Sequence, residues 1–306
     1  MAVYITLDGG TTNARLYLVR DRQIADARKL AGGLKGGLPA LKQALSEGIS
    51  SLLKENGLAE EEVTCILCSG MITSEYGLCH LPHLTAPVGK KEMKDGMHKT
   101  SLPEISDIPF VFIRGVRTDA DTFREADMVR GEETEIMGLV GDDPTDTLYV
   151  LPGSHSKHMA VDGDGRIVSI RTVMSGELFA AVMQNTVLRD TTDFAHNTVK
   201  KDYLECGYTF CRERGIGEAL FKTRVLKNLF SATKEDCFSF LLGVVLCNEV
   251  EALLSAKEER IVIGGQRQFR EALFYLLAGC GKQVTMLSDE EVGASVALGA
   301  VAIYEA

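Results

Sequence analysis

The chain has 306 residues, 45% hydrophobic and 25% charged, which is enough for two ordinary domains with their own cores. Its formal net charge of −10 argues against a nucleic-acid-binding surface, which needs a clustered basic footprint, while leaving room for local binding of a small anion. No unbroken apolar run reaches the ~20 residues of a spanning helix, and eight cysteines in so long a chain do not form a disulfide scaffold, so a cytoplasmic setting is expected.

The chain enters a strand almost at once, at Val3–Leu7, so no signal peptide is expected. Asp8-Gly9-Gly10-Thr11-Thr12 turns into a second strand, Ala14–Val19, and Asp21-Arg22 turns into a third, Ile24–Lys29. Helical periodicity covers about 39–54 and ends at Asn56-Gly57. Val63–Cys68 and Phe110–Ile113 read as buried strands, the first stopping at Ser69-Gly70-Met71 and the second at Gly115. Arg130-Gly131-Glu132-Glu133 opens a helix that ends near Val140.

The opening rhythm then returns. Thr147–Leu151 is a strand, Pro152-Gly153-Ser154-His155-Ser156 a turn, and Lys157–Val161 a strand. Asp162-Gly-Asp-Gly turns into Ile167–Thr172. Matching Gly10 to Gly153 makes this a duplicated domain, not a solenoid of short units. The remainder is largely helical: 176–188, 217–229 and 234–254. Strand Arg260–Ile263 then runs into Gly264-Gly265 and a helix over 268–277, and strand Gln283–Leu287 precedes a last helix over 291–304.

Two cysteine patterns invite a metal or redox reading. Cys65-x-x-Cys68 lies in a strand, where residues three apart face opposite sides, so both are expected in the core. Cys79-His80-x-x-His83 has no second ligand cluster at zinc spacing and is taken as structural. Asp162-Gly-Asp-Gly lacks the later ligands of a calcium loop and reads as a hairpin turn.

Three glycine turns are candidates for chemistry, although in isolation the first also makes an ordinary hairpin and the third an equally good tight strand-to-helix turn. At Asp8–Thr12 the backbone of Gly10 and the hydroxyls of Thr11 and Thr12 suit phosphate oxygens, and Asp8 suits a hydrated Mg²⁺. At Gly153–Lys157 the amides with Ser154, His155 and Lys157 form a second anion turn, with Leu151 where Asp8 would fall. Gly264-Gly265, between strand and helix, lets adenine and ribose approach the backbone. None matches the P-loop pattern. The acidic start of the helix at Glu132-Glu133 either decorates a helix dipole or supplies a general base, and its place before the second anion turn favours the base.

These features, in this order, resemble the sugar kinase/Hsp70/actin superfamily. Within it, Met128-Val-Arg-Gly-Glu-Glu-Thr-Glu, Leu148-Tyr-Val-Leu-Pro-Gly-Ser-His-Ser-Lys and Arg171-Thr-Val-Met-Ser-Gly-Glu-Leu closely resemble the 2-dehydro-3-deoxygalactonokinases. Weaker matches are Asp8-Gly-Gly-Thr-Thr-Asn13, Gly70-Met71 and Phe240–Val250. The resemblance implies an α/β, two-lobed actin-like (ribonuclease H-like) duplicated fold with an interlobe cleft, its lobes at 1–139 and 140–306, the second carrying a helical insertion. It implies ATP and Mg²⁺, and transfer of a phosphoryl group to the terminal 6-hydroxyl of 2-dehydro-3-deoxygalactonate in galactonate breakdown. Glu132 matches the superfamily's base, with Glu133 as the neighbouring alternative. Arg130 and Arg171 are candidates for the sugar carboxylate, since a guanidinium grips a carboxylate through two parallel hydrogen bonds; a structural salt bridge is the other reading of each. Met71 and Asn13 are candidates for the sugar site, and Arg224 is taken as structural. Glycine at position 9 and histidine at 158 depart from the family, which usually has tryptophan and an aromatic residue there. The expected partner is a small sugar acid, with no nucleic acid and no membrane; a homodimer stays open. A kinase for another sugar, or a nucleotide-binding sensor on the same fold, are the rival functions.

Overall fold

The structure, a computed structural model, describes residues 2–10, 13–31 and 36–306. Thr11 and Thr12 therefore lie outside the described residues. The first sheet is built around β1 (Val3–Gly9), which is apolar on both faces because strands flank it and the core covers it. Strand β2 (Asn13–Arg20) pairs antiparallel with β1, and β3 (Gln23–Ala31) antiparallel with β2. Helix α1 (Leu38–Glu55) then buries Leu41, Leu45, Ile49, Leu52 and Leu53, spaced to form one helical stripe. On the other side of β1 runs β4 (Cys65–Gly70), parallel, and every one of its residues is buried, Cys65 and Cys68 included.

Several short elements carry no strong sequence pattern. These are β5 (Leu84–Thr85), α2 (Lys90–Asp95) and β6 (His98–Leu102). Strand β7 (Ser106–Phe112) extends the sheet parallel to β4 and pairs with the mostly polar β6, giving the order β3-β2-β1-β4-β7-β6. Strands β8 (Val116–Arg117) and β9 (Met128–Val129) join β5 in a small third sheet and lead into α3 (Glu132–Leu139).

The second half repeats the plan. Strands β10 (Thr147–Leu151), β11 (Ser156–Val161) and β12 (Ile167–Val173) follow one another as β1–β3 do. The Asp162–Arg166 turn is a hairpin closed by Asp162 N–H to Arg166 O at 3.0 Å. Helix α4 (Ser175–Asn185) is followed by α5 (Lys201–Arg214), α6 (Ile216–Phe230) and α7 (Lys234–Leu254). Thr233 and Asp236 close a reciprocal cap at the start of α7. Helix α7 is long and apolar enough to cross a membrane, yet most of it is buried among the residues of the second core. Strand β13 (Arg260–Ile263), α8 (Arg267–Leu276), β14 (Gln283–Met286) and α9 (Asp289–Glu305) complete the chain, with sheet order β12-β11-β10-β13-β14. In both sheets a three-stranded meander is followed by two parallel strands on the far side of its first strand. The duplication read from the two glycine turns is thus a duplication of topology.

Contacts cluster in two units: Met1–Thr145 with Val161–Ile170 and Glu290–Ala306, and Asp146–Ala160 with Arg171–Asp289. A single boundary at 139/140 does not describe this division, because α9 returns to the first unit. The Tyr4 hydroxyl donates to Glu305 Oε1 at 3.1 Å, and the rings of Tyr4 and Tyr304 meet edge to face at 5.6 Å. A sequence read in order cannot show that its last helix packs on its first strand.

Candidate active site

In the first unit the candidate residues gather at the carboxyl end of the central strands. Asp8 is the penultimate residue of β1, level with Arg15 on β2 and Ser69 on β4. Gly70 ends β4 at φ 82°, and a β-carbon there would lie 3.3 Å from Asp8 Oδ1 and 2.9 Å from the Gly9 carbonyl oxygen. Gly131, at φ 120°, approaches so closely that its own β-carbon would be 3.1 Å from Gly70 Cα. Two left-handed glycines in contact let the start of α3 sit beside the end of β4, which brings Glu132 toward Asp8.

The electrostatics record that proximity. Burial raises the Asp8 carboxyl above its ordinary range, Arg15 pulls it back, and Glu132 pushes it up again. Glu133 is fully buried, accepts the Gly131 N–H and the Thr134 hydroxyl, and is pushed up to about 7 by burial and by Glu132. Glu135 is pushed up to about 8 by burial, with Glu132 and Asp8 adding to it. Glu132 keeps its side chain partly exposed and accepts the Arg130 N–H at 3.2 Å. The two adjacent glutamates thus differ: Glu133 is folded into the protein, and Glu132 alone of the pair reaches solvent.

Arg130 turns inward. One terminal nitrogen donates to the carbonyl and hydroxyl of Thr73 at 2.7 and 2.6 Å, and the other to Leu81 O at 3.1 Å and against His83. Burial and the Arg130 charge together drive His83 down to about 4, so it faces the guanidinium as a neutral ring. Arg130 therefore braces the turn that carries Met71, and its terminal nitrogens are occupied by the protein. Met71 is half-buried at the start of that turn, and Asn13 begins β2, its carbonyl accepting the Gly10 N–H at 3.0 Å. The unusual Gly9 has a local cause: a β-carbon there would lie 2.6 Å from Ile72 Cβ, so the turn after β4 occupies the space of a side chain.

In the second unit the Gly153 turn and the Gly264-Gly265 turn are joined. Gly264 N–H donates to Val150 O at 2.9 Å, and Gln266 N–H to Pro152 O at 2.6 Å. Gly265, at φ 66°, lies so near Pro152 that a β-carbon would be 2.3 Å from its carbonyl oxygen. Ser154 is exposed, and its carbonyl accepts the Glu177 N–H of α4 at 2.9 Å, while His155 Nε2 meets Glu177 Oε2 at 2.7 Å. Lys157 is only 8% exposed and donates to Thr172 Oγ1 at 3.1 Å. No carboxylate pairs with it among the described residues. A lysine this buried therefore lacks the carboxylate that would ordinarily offset its desolvation. Arg171 is exposed on β12 with no hydrogen-bond or ion-pair partner among the described residues. Arg224 donates to Val187 O at 2.7 Å, a structural contact.

One residue that sequence reading passed over organises this turn. Glu249 of α7 is 1% exposed and accepts from Ser156, from His158 at 2.9 Å, and from Ser175 at the start of α4. Burial would raise its carboxyl, but the His158 and two serine contacts outweigh that and hold it below the usual range. The unusual His158 thus has a dedicated partner. In the sequence Glu249 stands with Asn248 and Glu251 just after the apolar run Phe238–Cys247, and nothing there marks it as the buried one.

The duplicated unit of a three-stranded meander followed by parallel strands is the actin-like fold. The activator of the 2-hydroxyisocaproyl-CoA dehydratase from Clostridium difficile with bound ADPNP shares the fold, with TM-score 0.53 and 12% identity over 99% of this chain and 95% of that one. A proposed 2-dehydro-3-deoxygalactonokinase from Sinorhizobium meliloti superimposes with TM-score 0.78 at 22% identity, covering 99% and 100% of the two chains. The 2-dehydro-3-deoxygalactonokinase of Escherichia coli is 27% identical over 260 residues, 82% of this chain and 80% of that protein. The family model described as 2-keto-3-deoxy-galactonokinase matches residues 8–299, and the chain belongs to that family of carbohydrate kinases.

Proposed function

We propose that the protein transfers the γ-phosphoryl group of Mg-ATP to the 6-hydroxyl of 2-dehydro-3-deoxygalactonate, within galactonate breakdown in the cytoplasm. The observation that carries the reading is the Gly70–Gly131 contact, which holds a partly exposed Glu132 beside Asp8 in a chain of this family.

Glu132 is the base that accepts the hydroxyl proton as the oxygen attacks, and Glu133 is excluded from that role by its burial. Lys157 and the amides of the Gly153 turn bind phosphate oxygens, and the Gly264-Gly265 turn accepts the adenosine end. Among the described residues no three His, Cys, Asp or Glu side chains form a ready ligand cage. The donor set at Asp8, oxygen-only and negatively charged, suits a hydrated magnesium ion, and Asp8 would hold it through water. Bound magnesium would neutralise charge on the transferring phosphates. The sugar's carboxylate needs a cation; of the two arginines read from the sequence only Arg171 has no partner among the described residues, and it belongs to the other unit from Glu132. Arg130 instead positions the Met71 turn.

Replacing Glu132 by Gln keeps its size and its contact to Arg130 N–H but removes the proton acceptor. The expected result is a kcat lower by about 10²–10⁴-fold with KM values nearly kept. Wild-type turnover in that variant would remove Glu132 as the base.

A further inference from the structure

The first unit contains a second arginine at the carboxyl end of its sheet, and its guanidinium is unclaimed among the described residues. Ile113 N–H donates to Cys68 O at 2.8 Å, continuing the β4–β7 register that pairs Cys68 with Phe112. The paired register ends there, and Arg114 lies two residues beyond it, as does Gly70 on β4, where a β-carbon would meet Asp8 Oδ1 at 3.3 Å. The backbone on its other side is pinned, because Gly115 O accepts the Leu84 N–H at 2.8 Å and leaves no space for a side chain beside Val129 and His83. Arg114 thus stands at a fixed point, in the unit that carries Glu132 and Met71.

Its Nε is buried without an acceptor. The residue as a whole is partly exposed, and the guanidinium has no hydrogen-bond or ion-pair partner among the described residues. The contrast with Arg130, whose terminal nitrogens are taken by Thr73 and Leu81, is direct. A half-desolvated guanidinium with an unmet N–H is costly unless an anion arrives, and a carboxylate can accept from Nε and a terminal nitrogen in parallel.

We infer that Arg114 binds the carboxylate of the acceptor sugar acid and is a specificity-determining residue on the base's own unit. The inference rests on the proposed reaction, and it adds a residue that the family resemblance did not supply. A phosphate group of the nucleotide is the other anion with the matching chemistry.

The test is steady-state kinetics of wild type, Arg114→Ala and Arg114→Lys, with ADP release measured against 2-dehydro-3-deoxygalactonate and against ATP separately. Circular dichroism of each variant checks folding. For Arg114→Ala, KM for the sugar acid should rise about 10–100-fold while KM for ATP stays within about twofold. Arg114→Lys should recover part of the loss, as a purely structural role would not require. A rise confined to KM for ATP would overturn the inference in favour of phosphate binding, and unchanged KM values would overturn it outright. An unfolded alanine variant leaves the decision to the folded lysine variant, whose unaltered acid KM would count against it. Failure of the underlying reaction is visible separately, as wild-type protein that does not turn over the sugar acid.

Discussion

Replacing Glu133 by Gln probes the electrostatics of the acidic cluster without touching its exposed member. Glu133 is fully buried, and its carboxyl is raised from 4.5 to about 7. The folded state therefore holds a proton that the unfolded chain has already released over that window. Stability falls as pH rises from about 4.5 through about 7, with a limiting slope near 1.4 kcal/mol per pH unit. The whole interval corresponds to about 3 kcal/mol lost by pH 8. Glutamine cannot ionise and keeps an oxygen for the Gly131 N–H, so the variant should match wild type within about 1 kcal/mol near pH 4.5. It should exceed wild type by up to about 3 kcal/mol at pH 8. Glu135, raised to about 8, is retained and keeps a residual decline in both proteins. Urea unfolding followed by circular dichroism between pH 4.5 and 8 measures the difference. Parallel stability curves for the two proteins would refute the buried, proton-holding state of Glu133.

Asp8→Asn should cut turnover by about 10²-fold or more while leaving nucleotide binding measurable by calorimetry, because the second unit's contacts remain. Near-normal turnover would rule out a metal-associated role. Glu249→Ala leaves Ser156, His158 and Ser175 without their common acceptor and should lower unfolding stability by about 3–5 kcal/mol, read from the denaturation midpoint.

Much of the architecture was legible because it is written in short-range patterns. The Asp8 and Gly153 turns, each between apolar strands, exposed the duplication, and the limits of β10, α7 and β13 coincide with their sequence readings. Elements without a core-facing pattern were missed. Strand β6 is His98-Lys-Thr-Ser-Leu102, mostly polar and held only as the edge partner of β7. Helix α5 was passed over although Leu204, Gly207, Tyr208 and Cys211 stand at helical spacing, because charged and polar residues interrupt the stripe. The candidate site could be read where its residues are adjacent in sequence, as at Asp8 and Gly153–Lys157. It was not legible where a side chain's freedom depends on distant partners. Arg130 and Arg114 look alike in sequence, and only the positions of Thr73 and Leu81 distinguish the arginine that is occupied from the one with no partner among the described residues. Glu249 likewise acquires its meaning from three residues brought to it by β11 and α4.

The central claim is tested most directly by ADP release from ATP and Mg²⁺ across sugar acids and their neutral counterparts. The account predicts acceptor-dependent ADP release with 2-dehydro-3-deoxygalactonate, a phosphorylated 6-hydroxyl in the product, and weak turnover of the sugar lacking the carboxylate. Equal turnover of acid and neutral sugars, or ADP release indifferent to any acceptor, would contradict it.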